Sequence, residues 1–154
     1  MPKSALSQIA VVVLVLLLGV FAASFALSQR QNKREQMRAT ALPVTIKQAQ
    51  PIIRAIKRYR REKRTFPPSL RALVPTYIGQ IPAAGPVAKD GWHYRVTPDW
   101  QSGGWSLGVR VRDEYSPNIV GFGDTFVFHP SSTYPNLAYG GALIPLDRWG
   151  YYVE

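Results

Sequence analysis

Hydrophobic and polar positions divide the chain into three zones. An uncharged apolar run occupies residues 9–27 and reads IAVVVLVLLLGVFAASFAL. At about 1.5 Å per helical residue, this run is long enough to cross a hydrocarbon core of roughly 30 Å. Apolar residues then recur at helical spacing over 49–59, and they alternate with polar residues from position 92 onward. The pattern therefore predicts a transmembrane helix, an amphipathic helix and a small β-sheet, in that order.

The amphipathic helix has an apolar face and a basic face. The apolar face consists of Ala49, Ile52, Ile53, Ile56 and Tyr59. Pro51 lacks an amide hydrogen and has a fixed φ, so we expect it either to open this helix or to kink one that begins near Thr45. The helix must end before Phe66-Pro67-Pro68, because a residue that precedes proline is pushed out of the helical region.

A second, shorter helix is predicted after this proline corner. It would begin at Ser69, place Leu70 and Leu73 one turn apart, and end at Pro75. Two helical pieces joined by a proline corner would then fold back on each other.

Alternating apolar and polar residues predict the strands of the sheet. The clearest segments are 92–97 and 105–112, a third is 125–128, and 149–153 either adds a fourth strand or packs its aromatic residues against the helix. The simplest topology is an antiparallel meander of three to four strands with one face on the helix. The predicted fold class is α+β, with an N-terminal transmembrane helix and an amphipathic helix with a proline corner packed on the sheet.

The pattern divides the chain into a transmembrane anchor at 1–28, a basic juxtamembrane segment at 29–50 and an α+β domain at 51–154. Within that domain, residues 130–145 are expected to form a long irregular loop. Long loops in small domains are commonly functional. Tyr134 and Tyr139 in this loop are therefore candidate partner contacts.

A string of motifs in the middle of the chain resembles a known family. It reads I-x2-A-I-x2-Y, a polar spacer, F-P-P-S-L-x2-L-V-P-x-Y-I-x2-I-P, and then Gly91-Trp92-x-Tyr94. Over about residues 46 to 97 it resembles the soluble part of type II secretion pseudopilins and related pilin-like proteins. The resemblance implies that the tyrosine ends a long N-terminal helix, that the proline corner caps it, and that the W-x-Y element begins a sheet. It also implies a structural role, with the domain outside the inner membrane.

The N-terminal region departs from that family. Gly19-Val20-Phe21 lies deep in the apolar run and no glutamate follows it, so the prepilin peptidase leader motif is missing and we do not expect processing at this point. Lys3 before the run and Ser24-x-Ala26 near its end also fit a signal peptide cleaved near Ala26. However, the run exceeds the 7 to 15 or so residues of a typical signal core, which favours an uncleaved anchor.

The net charge of +10 comes from one stretch of the chain. Residues 29–64 hold twelve Lys and Arg against two acids, and the rest of the chain holds seven of each. The candidates for contact with anionic lipid headgroups are Arg30, Lys33, Arg34 and Arg38. Arg54, Arg58 and Arg61 are candidate partner contacts. Without a recognisable groove-reading module or stacking platform, we do not expect nucleic-acid binding.

The charge bias and the family resemblance give opposite orientations in the membrane. Basic residues cluster just after the apolar run, which favours a cytoplasmic domain. The resemblance favours the periplasm. We expect a single-pass protein of a bacterial inner membrane with a periplasmic domain, and the cytoplasmic alternative stays open.

The sequence nominates no reactive site. It has no cysteine, and His93 and His129 are its only histidines, with no second histidine at metal spacing. Four acids, Asp113, Glu114, Asp124 and Asp147, match no calcium-loop spacing. Nucleophile elbows and phosphate-binding glycine loops are lacking as well. We therefore expect no catalytic residues, no cofactor and no metal.

The predicted function is that of a membrane-anchored structural or interaction protein, pseudopilin-like, which docks to other membrane or envelope proteins. One alternative is an accessory subunit of a larger electron-transfer, photosynthetic or transport complex. Another is a secreted binding domain released by signal cleavage.

Overall fold

The computed structural model describes residues 3–97, 104–116, 123–134 and 142–153. The elements are a helix α1 (Lys3–Lys63), a 3₁₀ turn (Leu70–Leu73), strands β1 (His93–Val96) and β2 (Trp105–Arg110), a second 3₁₀ turn (Asp113–Tyr115), and strands β3 (Thr125–Phe128), β4 (Ala142–Leu146) and β5 (Trp149–Val153). Helix α1 is long and apolar enough near the N-terminus to cross a membrane. Its large apolar side chains between Val11 and Leu27 are exposed, as expected of a membrane anchor.

Helix α1 is one helix of 61 residues, with Pro43 and Pro51 inside it. The prediction that the helix opens at Pro51 or begins near Thr45 is therefore wrong. A proline in a helix interior loses a backbone hydrogen bond and costs about 3 kcal/mol. Buried side chains flank both prolines and offset this cost, so the helix continues past them without a break. It also runs without a break across the expected segment boundaries at 28–29 and 50–51.

The predicted apolar face of the amphipathic helix is confirmed. Ile52 and Ile56 are fully buried, Ile53 is nearly so, and Tyr59 packs at the edge of the core. The buried face also extends two turns toward the N-terminus. It includes Ala41, Leu42 and Thr45, which the sequence analysis assigned to the juxtamembrane segment.

The helix ends before the proline corner, as predicted. Arg64 adopts the left-handed conformation (φ 60°), and its amide donates to the carbonyl of Arg60 at 3.0 Å, which closes the helix. The predicted second helix is a 3₁₀ turn of four residues, and its Leu73 is fully buried. The Tyr94 hydroxyl donates to the carbonyl of Pro67 at 3.1 Å, which ties the corner to β1.

The sheet confirms the α+β class but is larger than predicted. Its five strands are all antiparallel in the order β1-β2-β3-β5-β4. The four predicted strands lie side by side in chain order, as β1, β2, β3 and β5, and the additional strand β4 pairs with the free edge of β5. The additional strand β4 (Ala142–Leu146) lies almost entirely within residues 130–145, which were expected to form an irregular loop. Pro145 is accommodated because β4 is an edge strand, where a proline is tolerated.

The core lies between α1 and one face of the sheet. Aromatic residues of β2, β3 and β5 fill it, and Phe126 stacks on Trp149 with ring centroids 4.7 Å apart. The link before β1 also belongs to the core, since Ala84, Val87 and Ala88 are buried. Gly85 in this link has a φ of +88°, and a Cβ there would lie 2.7 Å from Oγ1 of Thr45. The link can therefore approach α1 closely only with glycine at this position.

Candidate functional site

A basic groove runs along the last turns of α1. It has a volume of about 1060 Å³, and its walls are α1 from Pro51 onward and the segment that contains Tyr77 and Ile78. Six cationic side chains line it: Arg54, Lys57, Arg58, Arg60, Arg61 and Arg64. Helical periodicity places these residues on the faces of α1 that the core leaves exposed.

The groove residues outside α1 are largely apolar and form its apolar wall. Tyr77, Ile78 and Pro130 are half-buried and line the groove. Tyr77 is held by Tyr59 of α1, with ring centroids 5.1 Å apart. The groove therefore has one cationic wall and one apolar wall.

Two of the six cationic side chains make contacts within the protein. Arg58 Nη2 donates to the Thr76 carbonyl at 2.6 Å, and its guanidinium carbon lies 4.9 Å from the centre of the Tyr77 ring. Arg58 also faces Glu62 at 3.9 Å. Arg60 lies over the Phe66 ring at 4.4 Å. These two arginines fix the walls of the groove.

Three other cations of the groove are available to a ligand. Arg54, Lys57 and Arg61 are exposed, and no acid in the described part of the chain forms an ion pair with them. They follow each other at i, i+3 and i+7, so they share one face of α1. The structure thus brings together the candidates Arg54, Arg58 and Arg61, and it adds Lys57 to them.

The four candidate lipid contacts fall into two groups. Arg30 and Lys33 are exposed, as a headgroup contact requires. Arg34 and Arg38 are half-buried and face the domain: Arg34 Nη1 donates to the Ser116 carbonyl at 3.3 Å, and the Arg38 guanidinium lies 5.6 Å from the centre of the Tyr151 ring. The charge pattern of the sequence could not distinguish the two groups. The contacts of Arg34 and Arg38 depend on residues about eighty or more positions away.

Tyr151, the residue that Arg38 contacts, also belongs to a buried polar pair. The Tyr151 hydroxyl donates to Oδ2 of Asp124 at 2.9 Å, and both residues are about 1% exposed. Burial raises the pKa of Tyr151, and the charge of Asp124 raises it further. Asp124 is thus held inside the domain by Tyr151, in a structural arrangement.

The sheet face opposite α1 carries a separate polar cluster. Asp90 accepts hydrogen bonds from Arg110 and pairs with His93 at 2.9 Å. These bonds, first that of Arg110 and then that of His93, lower the pKa of Asp90 to about 2. Within the described ranges, no three His, Asp or Glu side chains are grouped so that they could hold a metal ion.

Of the two tyrosine candidates, Tyr134 lies away from the groove. Tyr134 packs on the same outer face of the sheet, where its hydroxyl donates to the Arg148 carbonyl and its ring lies 5.0 Å from that of His129. A Cβ at Gly150 would lie 2.6 Å from the Tyr134 ring. Tyr134 therefore covers β5. Tyr139 lies outside the described residues.

Comparison with known proteins adds no assignment. No family model, curated protein or solved structure matches the chain. A long apolar N-terminal helix followed by a small antiparallel sheet is broadly compatible with a pilin-like architecture.

Proposed function

We propose that this protein is a single-span, membrane-anchored structural subunit that docks to other membrane or envelope proteins. The observation that carries the proposal is the continuity of α1. One helix contains both the exposed apolar run near its N-terminus and the buried face that holds the sheet. An anchor joined to its domain by an unbroken helix transmits position and orientation, which suits a subunit of an assembly.

We further propose that the architecture is of the pseudopilin type and that the domain faces the periplasm of a bacterial inner membrane. The motif string over residues 46–97 supports this proposal. In the structure its tyrosine lies near the end of the long helix, its prolines form the corner, and its W-x-Y element leads into β1.

Crosslinking of the native chain in membranes tests the docking role. We expect the protein to remain in the membrane pellet after carbonate extraction and to be crosslinked to a defined set of integral or envelope proteins. A mature N-terminus at Leu27, found by N-terminal sequencing, would contradict the anchored form and favour the secreted alternative. The packed part would survive such cleavage, because the contacts of α1 with the domain described above begin at Arg34.

Reporter fusions at the C-terminus test the side of the membrane. Alkaline phosphatase, which is active only in the periplasm, should be active, and a cytoplasm-dependent fluorescent reporter should stay dark. The reverse result would show that the basic flank and not the family resemblance decides the orientation.

A further inference from the structure

We propose that the basic groove binds an extended acidic segment of a partner protein, and not lipid headgroups. The inference rests on the proposed docking function and names the chemistry of the partner. It depends on the position of the groove relative to the membrane, on the spacing of its available cations and on its apolar wall.

The position of the groove separates it from the anchoring membrane. Along a continuous helix with a rise of about 1.5 Å per residue, Arg54 to Arg64 lie about 40 to 55 Å beyond Leu27, where the apolar run ends. The potential of an anionic membrane surface decays within a Debye length, about 8 Å at physiological salt. With α1 upright in the membrane, the groove lies beyond the reach of its headgroups, whereas Arg30 and Lys33 lie within it.

The spacing of the cations fits an extended peptide. Arg54, Lys57 and Arg61 are separated by three and four residues, which corresponds to about 4.5 to 6 Å along the helix axis. Alternate side chains of an extended chain are about 6.6 Å apart and point to the same side. Carboxylates at every second position of such a segment can therefore meet these cations in turn.

The apolar wall favours apolar side chains between the carboxylates. Tyr77, Ile78 and Pro130, which are half-buried, line the same groove as the cations. An apolar side chain at each intervening position would bury surface there. This apolar contribution distinguishes an acidic polypeptide from a polyphosphate backbone, which has no apolar side chains to place against this wall.

The experiment uses the full-length protein in nanodiscs of neutral lipid. The probe is a fluorescein-labelled synthetic peptide in which Glu alternates with Leu, and binding is followed by fluorescence anisotropy. Two double variants with the same change of charge are compared, R54Q/R61Q in the groove and R30Q/K33Q near the membrane. All four positions are exposed, so neither variant should disturb folding.

We expect R54Q/R61Q to weaken binding about tenfold and R30Q/K33Q to leave it unchanged. A peptide with Gln in place of Glu should not bind, and added salt should weaken binding of the acidic peptide. Equal binding by both variants, or no binding by the wild type, would overturn the proposal.

Two further probes distinguish other partners. Anionic vesicles should lose affinity for R30Q/K33Q and not for R54Q/R61Q, and the opposite pattern would assign the groove to lipid and overturn the proposal. Single-stranded DNA that binds the groove more tightly than the acidic peptide would also overturn it. Failure of these binding tests would leave the docking function itself intact, because carbonate extraction and crosslinking do not depend on the groove.

Discussion

Tyr151 donates a hydrogen bond to the buried carboxylate of Asp124, and Arg38 of α1 lies over the ring of the same tyrosine. One side chain of β5 therefore connects the interior of the domain with α1 at Arg38, about three turns beyond the apolar run. Together with the hydrogen bond from Arg34 to the Ser116 carbonyl, this contact holds the domain against the part of α1 that contains Arg34 and Arg38.

Replacement of Tyr151 by Phe should destabilise the domain by about 1 to 3 kcal/mol. The buried Asp124 would lose a hydrogen-bond donor, and bonds to charged groups are among the stronger ones. Thermal unfolding of the full chain in detergent, followed by tryptophan fluorescence, measures this effect. Tyr59→Phe is the control, since the Tyr59 hydroxyl has no hydrogen-bond partner among the described residues. Equal stability of Y151F and Y59F would contradict the structural role of the pair.

Replacement of Gly85 by Ala should destabilise the domain by about 2 kcal/mol or more. The positive φ alone costs a residue with a Cβ about 1 to 2 kcal/mol, and the added methyl group would collide with Thr45 on α1. Gly79→Ala is the matched control, because a Cβ at Gly79 meets no atom within 4 Å. Unfolding of both variants should be compared with wild type, and a stable G85A would show that the link does not contact α1 as described.

Replacement of Ile56 by Asp should unfold the domain, whereas Arg61→Ala should leave it folded. Ile56 is fully buried in the core, where an unpaired charge costs at least about 3 kcal/mol, and Arg61 is exposed. Near-ultraviolet circular dichroism distinguishes the two outcomes. Loss of the folded signal in R61A would mean that the basic face has been assigned to the wrong side of α1.

Alkaline pH should destabilise the domain through its buried tyrosines. Burial raises the pKa of Tyr94 to about 12, and it also raises that of Tyr151, from an ordinary value of 10.0. Because the folded state favours the neutral phenols, their stabilisation is complete below about pH 10 and is lost as the pH rises through the folded pKa values.

The melting temperature of the full chain should therefore fall above about pH 10. Tyrosinate absorbance provides a second measurement, since Tyr94 and Tyr151 should titrate above the ordinary tyrosine value of 10.0. A single titration of all eight tyrosines near pH 10 would rule out this explanation.

The sequence allowed prediction of those parts of the fold that depend on local periodicity. The apolar face with Ile52 and Ile56, the end of α1 before the proline corner, and strands β2 and β3 follow from spacing over a few residues. The start of the packed helix did not follow, because local rules make Pro43 and Pro51 breakers, and only tertiary packing of Leu42, Thr45 and Ile52 explains why the helix continues.

Only the cations of the candidate site could be predicted from the sequence. Charge density indicated Arg54, Arg58 and Arg61, and helical geometry is enough to place them together. The contribution of Pro130 to the apolar wall required the fold, since this residue lies far from α1 in the sequence. The internal contacts of Arg34 and Arg38 required it for the same reason.

The distance between the groove and the membrane surface tests the central claim most directly. The chain has no cysteine, so Arg61→Cys and Arg30→Cys each introduce one labelling position. In nanodiscs with acceptor-labelled headgroups, energy transfer should place position 61 about 45 to 50 Å from the headgroups and position 30 next to them. If both positions lie equally close to the headgroups, the claim that one continuous helix joins a membrane anchor to a distant docking groove is wrong.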